Sequence, residues 1–200
     1  MCKLLRGIKG VLVYIRGQYF AIRYYDKKYL TGKWFEGKFL GILSQGWQWV
    51  VKDAIGSKKM GNISQAPWPV DPRTSIVHYS NIVFDINDLH IFQNPGCYFQ
   101  AHEKIIIGKG CWIAPNVGLI TSNHNVYDLE KHDIAKPIVL GNNCWIGMNS
   151  MILPGVTLGD HTIVGAGSVV TKSFKNGNCV ICGNPAKIIR RLNLEVNERE

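Results

Sequence analysis

From Leu140 onward the chain parses into sixes: LGNNCW, IGMNSM, ILPGVT, LGDHTI, VGAGSV, VTKSFK. An aliphatic residue stands at 140, 146, 152, 158, 164 and 170, and glycine follows it at 141, 147, 159 and 165. Two positions before each aliphatic comes a small or β-branched residue: Cys144, Ser150, Val156, Thr162, Ser168. A helix needs apolar spacings of three and four, and the glycines and Pro154 would break one. Repetition at a short fixed period is instead the mark of a solenoid of short strands. An earlier register through IGKGCW and IAPNVG carries Ile107, Ile113 and Leu119. Leu119 and Leu140 lie 21 residues apart, which is no multiple of six, so a loop at about 121–137 is expected to protrude from the repeat. Weaker sixes at Val70, Ile76 and Ile82 precede a slip through IFQNPGCYFQ. The repeat domain is therefore expected over 70–182, with a short capping helix in 183–200.

Residues 1–69 follow a different pattern and are expected to be largely helical. Arg6, Lys9, Arg16 and Arg23 interrupt every apolar run well short of the roughly 18–20 residues of a membrane-spanning helix. The stretch GVLVYI is too short for a signal peptide, and no small-residue cleavage site follows it. This third holds 12 Lys+Arg against Asp26, Glu36 and Asp53, whereas 70–200 holds 11 against 11, so the net charge of +9 belongs to the N-terminal segment. Two readings stay open. A basic amphipathic stretch is drawn to anionic lipid and would give peripheral contact with a membrane surface. Alternatively the segment is a helical region that packs beside the functional site of the repeat domain, with Trp34, Trp47, Trp49 and Trp68 in a small core. No nucleic-acid-binding fold accompanies the charge.

A hydrophobic content of 46% over 200 residues is enough for a core. The six cysteines form no even framework in a short chain and read as reduced thiols of a cytoplasmic protein, with peripheral placement at the inner face of a membrane under the first reading. CVIC at 179–182 has a zinc-like spacing but no second pair.

The sixes, together with KWFEGKFLG, GWQWV, PWPVDP, NIVFDINDLHIFQNPGCYFQAHE, IAPNVG, TSNHNVYDLEKH, KPIVLGNNCWIGMNSMILPGV, LGDHTIVGAGSVVTKSF and CVICGNPAKIIRRL, resemble the hexapeptide-repeat acetyltransferases over about residues 33–192. The likeness is to the capsular-polysaccharide and lipopolysaccharide O-acetyltransferases and, more broadly, to the galactoside, maltose and xenobiotic group. It implies an all-β main domain, a left-handed parallel β-helix with about 18 residues per coil, and five to six coils here. It also implies acetyl-CoA as donor, a carbohydrate acceptor, no metal, and a homotrimer with active sites between subunits. In this fold each aliphatic would point inward, and the glycine after it would take a turn geometry that a side chain resists.

Transfer of acetyl from a thioester to a hydroxyl needs a base for the hydroxyl proton, and imidazole titrates near neutrality. In the resembling enzymes the base is the loop histidine eleven residues after the Ile of the IAPNV coil, which is His124 here. A carboxylate or backbone carbonyl is expected to fix its tautomer. Asp128, His102, Asn94, Tyr98 and Glu103 are the expected acceptor-binding or orienting residues, and His132 shares the loop. His78 and His90 stand at 12-residue steps from His102, two-thirds of an 18-residue coil, and so are expected on different sides. For the donor, the resemblance carries Trp145 as a wall of the pantetheine tunnel and Gly147 as a close-approach position. Ala166 would supply backbone hydrogen bonds, Thr171 and Lys172 would lie further along, and Lys187 and Arg190 would meet the phosphates, with Arg191 as helper. The galactoside group has Arg where Lys187 stands, and Lys lacks the bidentate fork. A backbone N–H near Trp145 or Gly147 is expected to hold the oxyanion. Cys111 and Cys144 read as inward packing residues. Competing readings are another acceptor (a xenobiotic hydroxyl or a nucleotide-sugar amine), a metal-dependent hydrolase, and a non-catalytic scaffold.

Overall fold

The computed structural model describes residues 2–37, 41–59 and 66–193, without the side chains of 2–6 and 58. The chain divides into two compact units, one ending at Thr74 and one beginning at Ser75. Val70 is buried in the first of these and does not start the repeat.

In the N-terminal unit, α1 (Cys2–Tyr24) packs on α2 (Gln45–Lys59). The contact is close because α1 presents Gly17 and Ala21, both buried, to Trp47 of α2; a Cβ on Gly17 would meet Trp47 Cε3 at 2.9 Å. Tyr14 and Phe35 meet the same indole edge-on at 5.2 and 5.1 Å, and its Nε1 donates to Gly41 O at 3.1 Å. Trp34 lies 4.8 Å from Trp49, and Tyr29 4.9 Å from Trp68. Beneath them Asp53 accepts from Tyr25 Oη, Ser57 Oγ and Val70 N at 2.6–2.9 Å.

The second unit is a solenoid of strands on three faces, parallel except for the last, which pairs antiparallel. In chain order they are β1 (Ser75–Val77), β2 (Ile82–Val83), β3 (Tyr98–Gln100), β4 (Ile105–Ile107), β5 (Trp112–Ile113), β6 (Gly118–Ile120), β7 (Ile138–Leu140), β8 (Trp145–Ile146), β9 (Met151–Ile152), β10 (Thr157–Leu158), β11 (Thr162–Val164), β12 (Val169–Val170), β13 (Cys179–Gly183) and β14 (Ala186–Arg191). They stack in the orders β1-β3-β6-β9-β12, β2-β4-β7-β10 and β5-β8-β11-β13-β14, giving five coils. Every repeat aliphatic from Ile107 to Val170 is at most 4% exposed. The residues two before them, Cys144 to Ser168, are buried as well. This triangular core is what the period of six encodes.

Three expectations are corrected. An 18-residue coil holds between Met151 and its partner Val169, but Ser75 pairs with Tyr98 and Tyr98 with Gly118, so the first two coils are longer. A 3-10 segment at Ile86–Phe92 takes up the excess in the first, and it is the origin of the slip in the sixes. The glycine after the aliphatic does not serve a left-handed turn. Left-handed corners fall elsewhere, on Asn116, Asn143, Asn149 and Asn178, residues that tolerate that conformation. Gly147 is needed for clearance: a Cβ there would lie 2.6 Å from both Ala166 N and Val164 O on the next coil. Finally, 186–191 form a strand and no helix; the remainder of the expected capping segment, 194–200, lies outside the described residues. The reason is the open edge of β13, whose unpaired backbone groups β14 satisfies by antiparallel pairing. Ile188 and Ile189 favour the extended form.

Candidate active site

Residues 121–137 leave the repeat between β6 and β7 and are pinned at their base. The Thr121 hydroxyl donates to Gln100 O at 2.6 Å, Ser122 N donates to Gln100 Oε1 at 3.1 Å, and Lys136 N returns to Thr121 O at 2.8 Å. Above this the loop pairs with itself across an antiparallel bridge of His124 and His132, closed by Asn125 N to Lys131 O at 2.8 Å and Asp133 N to Asn123 O at 2.9 Å. Asn125 ties the tip by accepting from Tyr127 N and Asp128 N and donating to Asp133 Oδ1.

His124 Nδ1 lies 2.7 Å from Leu129 O. A carbonyl can only accept, so Nδ1 carries the hydrogen and neutral His124 keeps its lone pair on Nε2. The tautomer is thus fixed by a backbone group. Asp128 acts one step further back, accepting from Glu130 N at 3.2 Å and pairing with Lys131 at 2.8 Å, and so holds the turn that aims Leu129 O.

The imidazole of His124 stacks on His132 at 4.2 Å between centroids; His132 is 6.1 Å from His102, and His102 is 4.9 Å from His78. Four exposed imidazoles therefore run in a row. The structure places His78 against His102, contrary to the expectation of different sides, because the coil between them is longer than 18 residues. His90 is indeed elsewhere, buried 4.5 Å from the ring of Trp112. The slight burial of His102, followed by its neighbours His78 and His132, holds it below the usual imidazole range. Glu103 is next to it, its amide donating to Thr121 Oγ1 and its carboxylate accepting from Lys104 N. Tyr98 is half-buried on β3. Asn94 precedes that strand, whereas His102 follows it, and Asn94 Nδ2 donates to Ile113 O at 2.5 Å. Row members His78 and His132 carry little sequence signal, since their approach depends on coil length and on the loop's internal bridge. Among the described residues no group of three or more His, Cys, Asp or Glu is arranged to hold a metal ion.

The residues expected at the donor lie on the later coils. Trp145 is 54% exposed and pairs in strand register with Trp112, 60% exposed and not anticipated, so two indoles lie on one face. Gly147 N donates to Val164 O at 2.8 Å, so this amide is committed to the ladder and is not free for an oxyanion. Exposed Ala166 sits between Gly165 and Gly167, whose amides bond to Ile181 O and Met148 O; its own N–H has no partner among the described residues. Thr171 and Lys172 are exposed, with the Lys172 ammonium 5.9 Å from the Phe174 ring.

On β14, Lys187 pairs with Cys182, Ile188 with Ile181 and Arg190 with Val180, leaving Ile189 as a bulge. Residues three apart on a regular strand face opposite ways; the bulge brings Lys187 and Arg190 to one face, the outward one shared by Cys182 and Val180. Arg191 faces the other way and lines a cleft of about 410 Å³ with Phe174, Lys175 and Ile188. None of these cations has a carboxylate partner among the described residues. Cys111 and Cys144 are buried, with each Sγ against a backbone carbonyl, Gly141 O at 3.1 Å and Gly159 O at 3.4 Å, which suits packing; a hydrogen bond with Cys144 together with burial pushes the Cys111 thiol up.

Residues 137–172 match the family model described as bacterial transferase hexapeptide (six repeats). The chain is 33% identical over 156 residues to the galactoside O-acetyltransferase of Escherichia coli, covering 74% of this chain and 70% of that protein. A galactoside acetyltransferase solved with coenzyme A superposes with a TM-score of 0.55 at 26% identity, over 90% of this chain and 81% of the other. A hexapeptide-repeat acetyltransferase of Vibrio cholerae solved with acetyl-coenzyme A gives 0.51 at 28% identity, over 60% and 69%. With the repeat, the stacked coils and these likenesses in agreement, the chain belongs to the hexapeptide-repeat acetyltransferases.

Proposed function

We propose that the protein moves the acetyl group of acetyl-CoA onto a hydroxyl of a surface-polysaccharide sugar, with His124 as general base. The observation that carries this is the Leu129 carbonyl on His124 Nδ1, which leaves Nε2 as the proton acceptor on an exposed loop. In this reading His124 takes the hydroxyl proton as the sugar oxygen bonds to the acetyl carbonyl carbon, and returns it to the departing CoA thiolate as the C–S bond breaks. No enzyme-bound acyl group is needed, because the thioester is already activated.

The donor fits residues that are present: an amide at Ala166 without a partner among the described residues, apolar walls at Trp145 and Trp112, and the cations Lys187 and Arg190 on one face for phosphates. Thr171 and Lys172 lie between. On the acceptor side His102, Glu103 and Tyr98 contact the sugar, His132 buttresses His124, Asp128 holds the turn behind His124, and Asn94 holds the backbone at Ile113 on β5. The assembly is a homotrimer of left-handed helices whose sites are completed by a neighbouring copy. Its place is the cytoplasm, with the N-terminal segment at the inner face of a membrane.

The test is thiol release from acetyl-CoA with a panel of oligosaccharides, xenobiotic alcohols and amino sugars, comparing wild type with His124→Ala. Turnover on a polysaccharide fragment that falls about 10²–10⁴-fold in the variant, with CoA binding kept, supports the reading. Undiminished turnover removes His124 from the mechanism, and preference for an alcohol or amine outside the carbohydrates replaces the acceptor.

A further inference from the structure

Helix α1 has two apolar faces, and only one is covered among the described residues. Gly17 and Ala21 are buried toward α2, whereas Ile8, Val11, Leu12, Ile15, Tyr19 and Ile22 are 45–77% exposed. At 100° per residue these six fall within one stripe about 100° wide, which at 1.5 Å per residue runs about 21 Å along the helix. Lys9, Arg16 and Arg23 recur every seven residues and form a row along one side of that stripe. All three are exposed, none has a carboxylate partner among the described residues, and α1 contains no Asp or Glu. Arg23 stays within the stripe's own margin, its guanidinium 5.5 Å from the Tyr19 ring.

An uncovered stripe of large aliphatics is costly in water and asks for an apolar partner. The cation row decides which. A second copy would bring two such rows together, each on a segment with 12 Lys+Arg against three acids, and repulsion would oppose the contact. No helix of the described residues is long and apolar enough to cross a membrane. A bilayer surface bearing anionic headgroups accepts both features at once: the aliphatics enter the acyl boundary and the cations meet the phosphates. We propose that α1 lies in the plane of an anionic lipid surface through Ile8, Val11, Leu12, Ile15, Tyr19 and Ile22, with Lys9, Arg16 and Arg23 at headgroup level. The inference takes its lipid source from the membrane-proximal place proposed above and is independent of acetyl transfer. It anchors the N-terminal unit by one helix face while the opposite face keeps its packing on α2.

The experiment is flotation of the full chain with phosphatidylcholine vesicles, with and without phosphatidylglycerol. Binding is expected only with the anionic lipid and is expected to weaken with salt. Lys9→Gln, Arg16→Gln and Arg23→Gln together should reduce it about a hundredfold, from roughly fivefold per cation at an anionic surface. Leu12→Gln with Ile15→Gln should abolish it at low salt as well. These side chains point to solvent, so both variants should keep the wild-type circular dichroism and melting temperature. Equal binding to neutral vesicles, no binding to either, or a wild-type chain whose oligomer falls apart on Leu12→Gln with Ile15→Gln would each overturn the proposal, the last by making the stripe a contact between copies. Thiol release measured without lipid on the same proteins keeps a failure here distinct from a failure of the acetyl-transfer reading.

Discussion

Gly147→Ala tests the stacking of the coils and the proposed donor wall in one change. The added Cβ would stand 2.6 Å from Ala166 N and Val164 O and 3.0 Å from Ala166 Cα, all backbone atoms with no rotamer to escape into. The coils must separate locally, which stretches the Gly147 N–H to Val164 O bond of 2.8 Å. Overpacking of this kind costs about 1–3 kcal/mol, and the weakened bond adds about 0.5–1.5 kcal/mol, so the loss is about 1.5–4.5 kcal/mol. For a chain of this size each kcal/mol moves the melting temperature by about 2–4 °C, and calorimetry should show a drop of about 3–18 °C. Because Ala166 is the residue displaced, KM for acetyl-CoA should rise several-fold in the same protein. Gly167→Ala separates strain from clash: φ is +70° there but nothing lies within 4 Å of the new Cβ, so it should cost only about 1–2 kcal/mol. A Gly147→Ala protein that melts with the wild type and keeps its KM would refute the clearance argument.

Removing the like-charged neighbour in His132→Ala should move the His102 titration upward, read from its ring-proton NMR shift; an unmoved titration would mean that the row does not interact. The folded-state value of His102 lies below its ordinary one, so its contribution to stability is present above the usual imidazole range and fades as pH falls through it, by a small amount for so exposed a ring. Lys187→Glu and Arg190→Glu should each raise KM for acetyl-CoA with a steep salt dependence and leave kcat nearly unchanged, whereas Arg191→Glu, on the other face of β14, should do less. If Arg191→Glu matters most, the shared face is wrongly assigned.

The sequence alone determined the solenoid, because a narrow triangular core admits one inward aliphatic per short strand and writes a period of six into the chain. It also determined that the loop must protrude, since 21 residues between Leu119 and Leu140 cannot be wound as whole strands, and the family's motif singled out His124 within it. The tautomer of that histidine, held by Leu129 O, required the loop's folded path. The row of imidazoles was hidden for the same kind of reason: a first coil lengthened by a 3-10 segment brings His78 to His102, and residue spacing carries no trace of that until the register is seen. Local pattern misled at the C-terminus, where AKIIRR suits an amphipathic helix until the vacant edge of β13 offers hydrogen bonds that only a strand can make. The bulge that sets Lys187 and Arg190 on one face, and the choice of which residues of α1 stay exposed, follow from the same principle. Which residues are apolar or charged is written locally, but which of them meet, and which are left uncovered, depends on contacts between segments far apart in the chain.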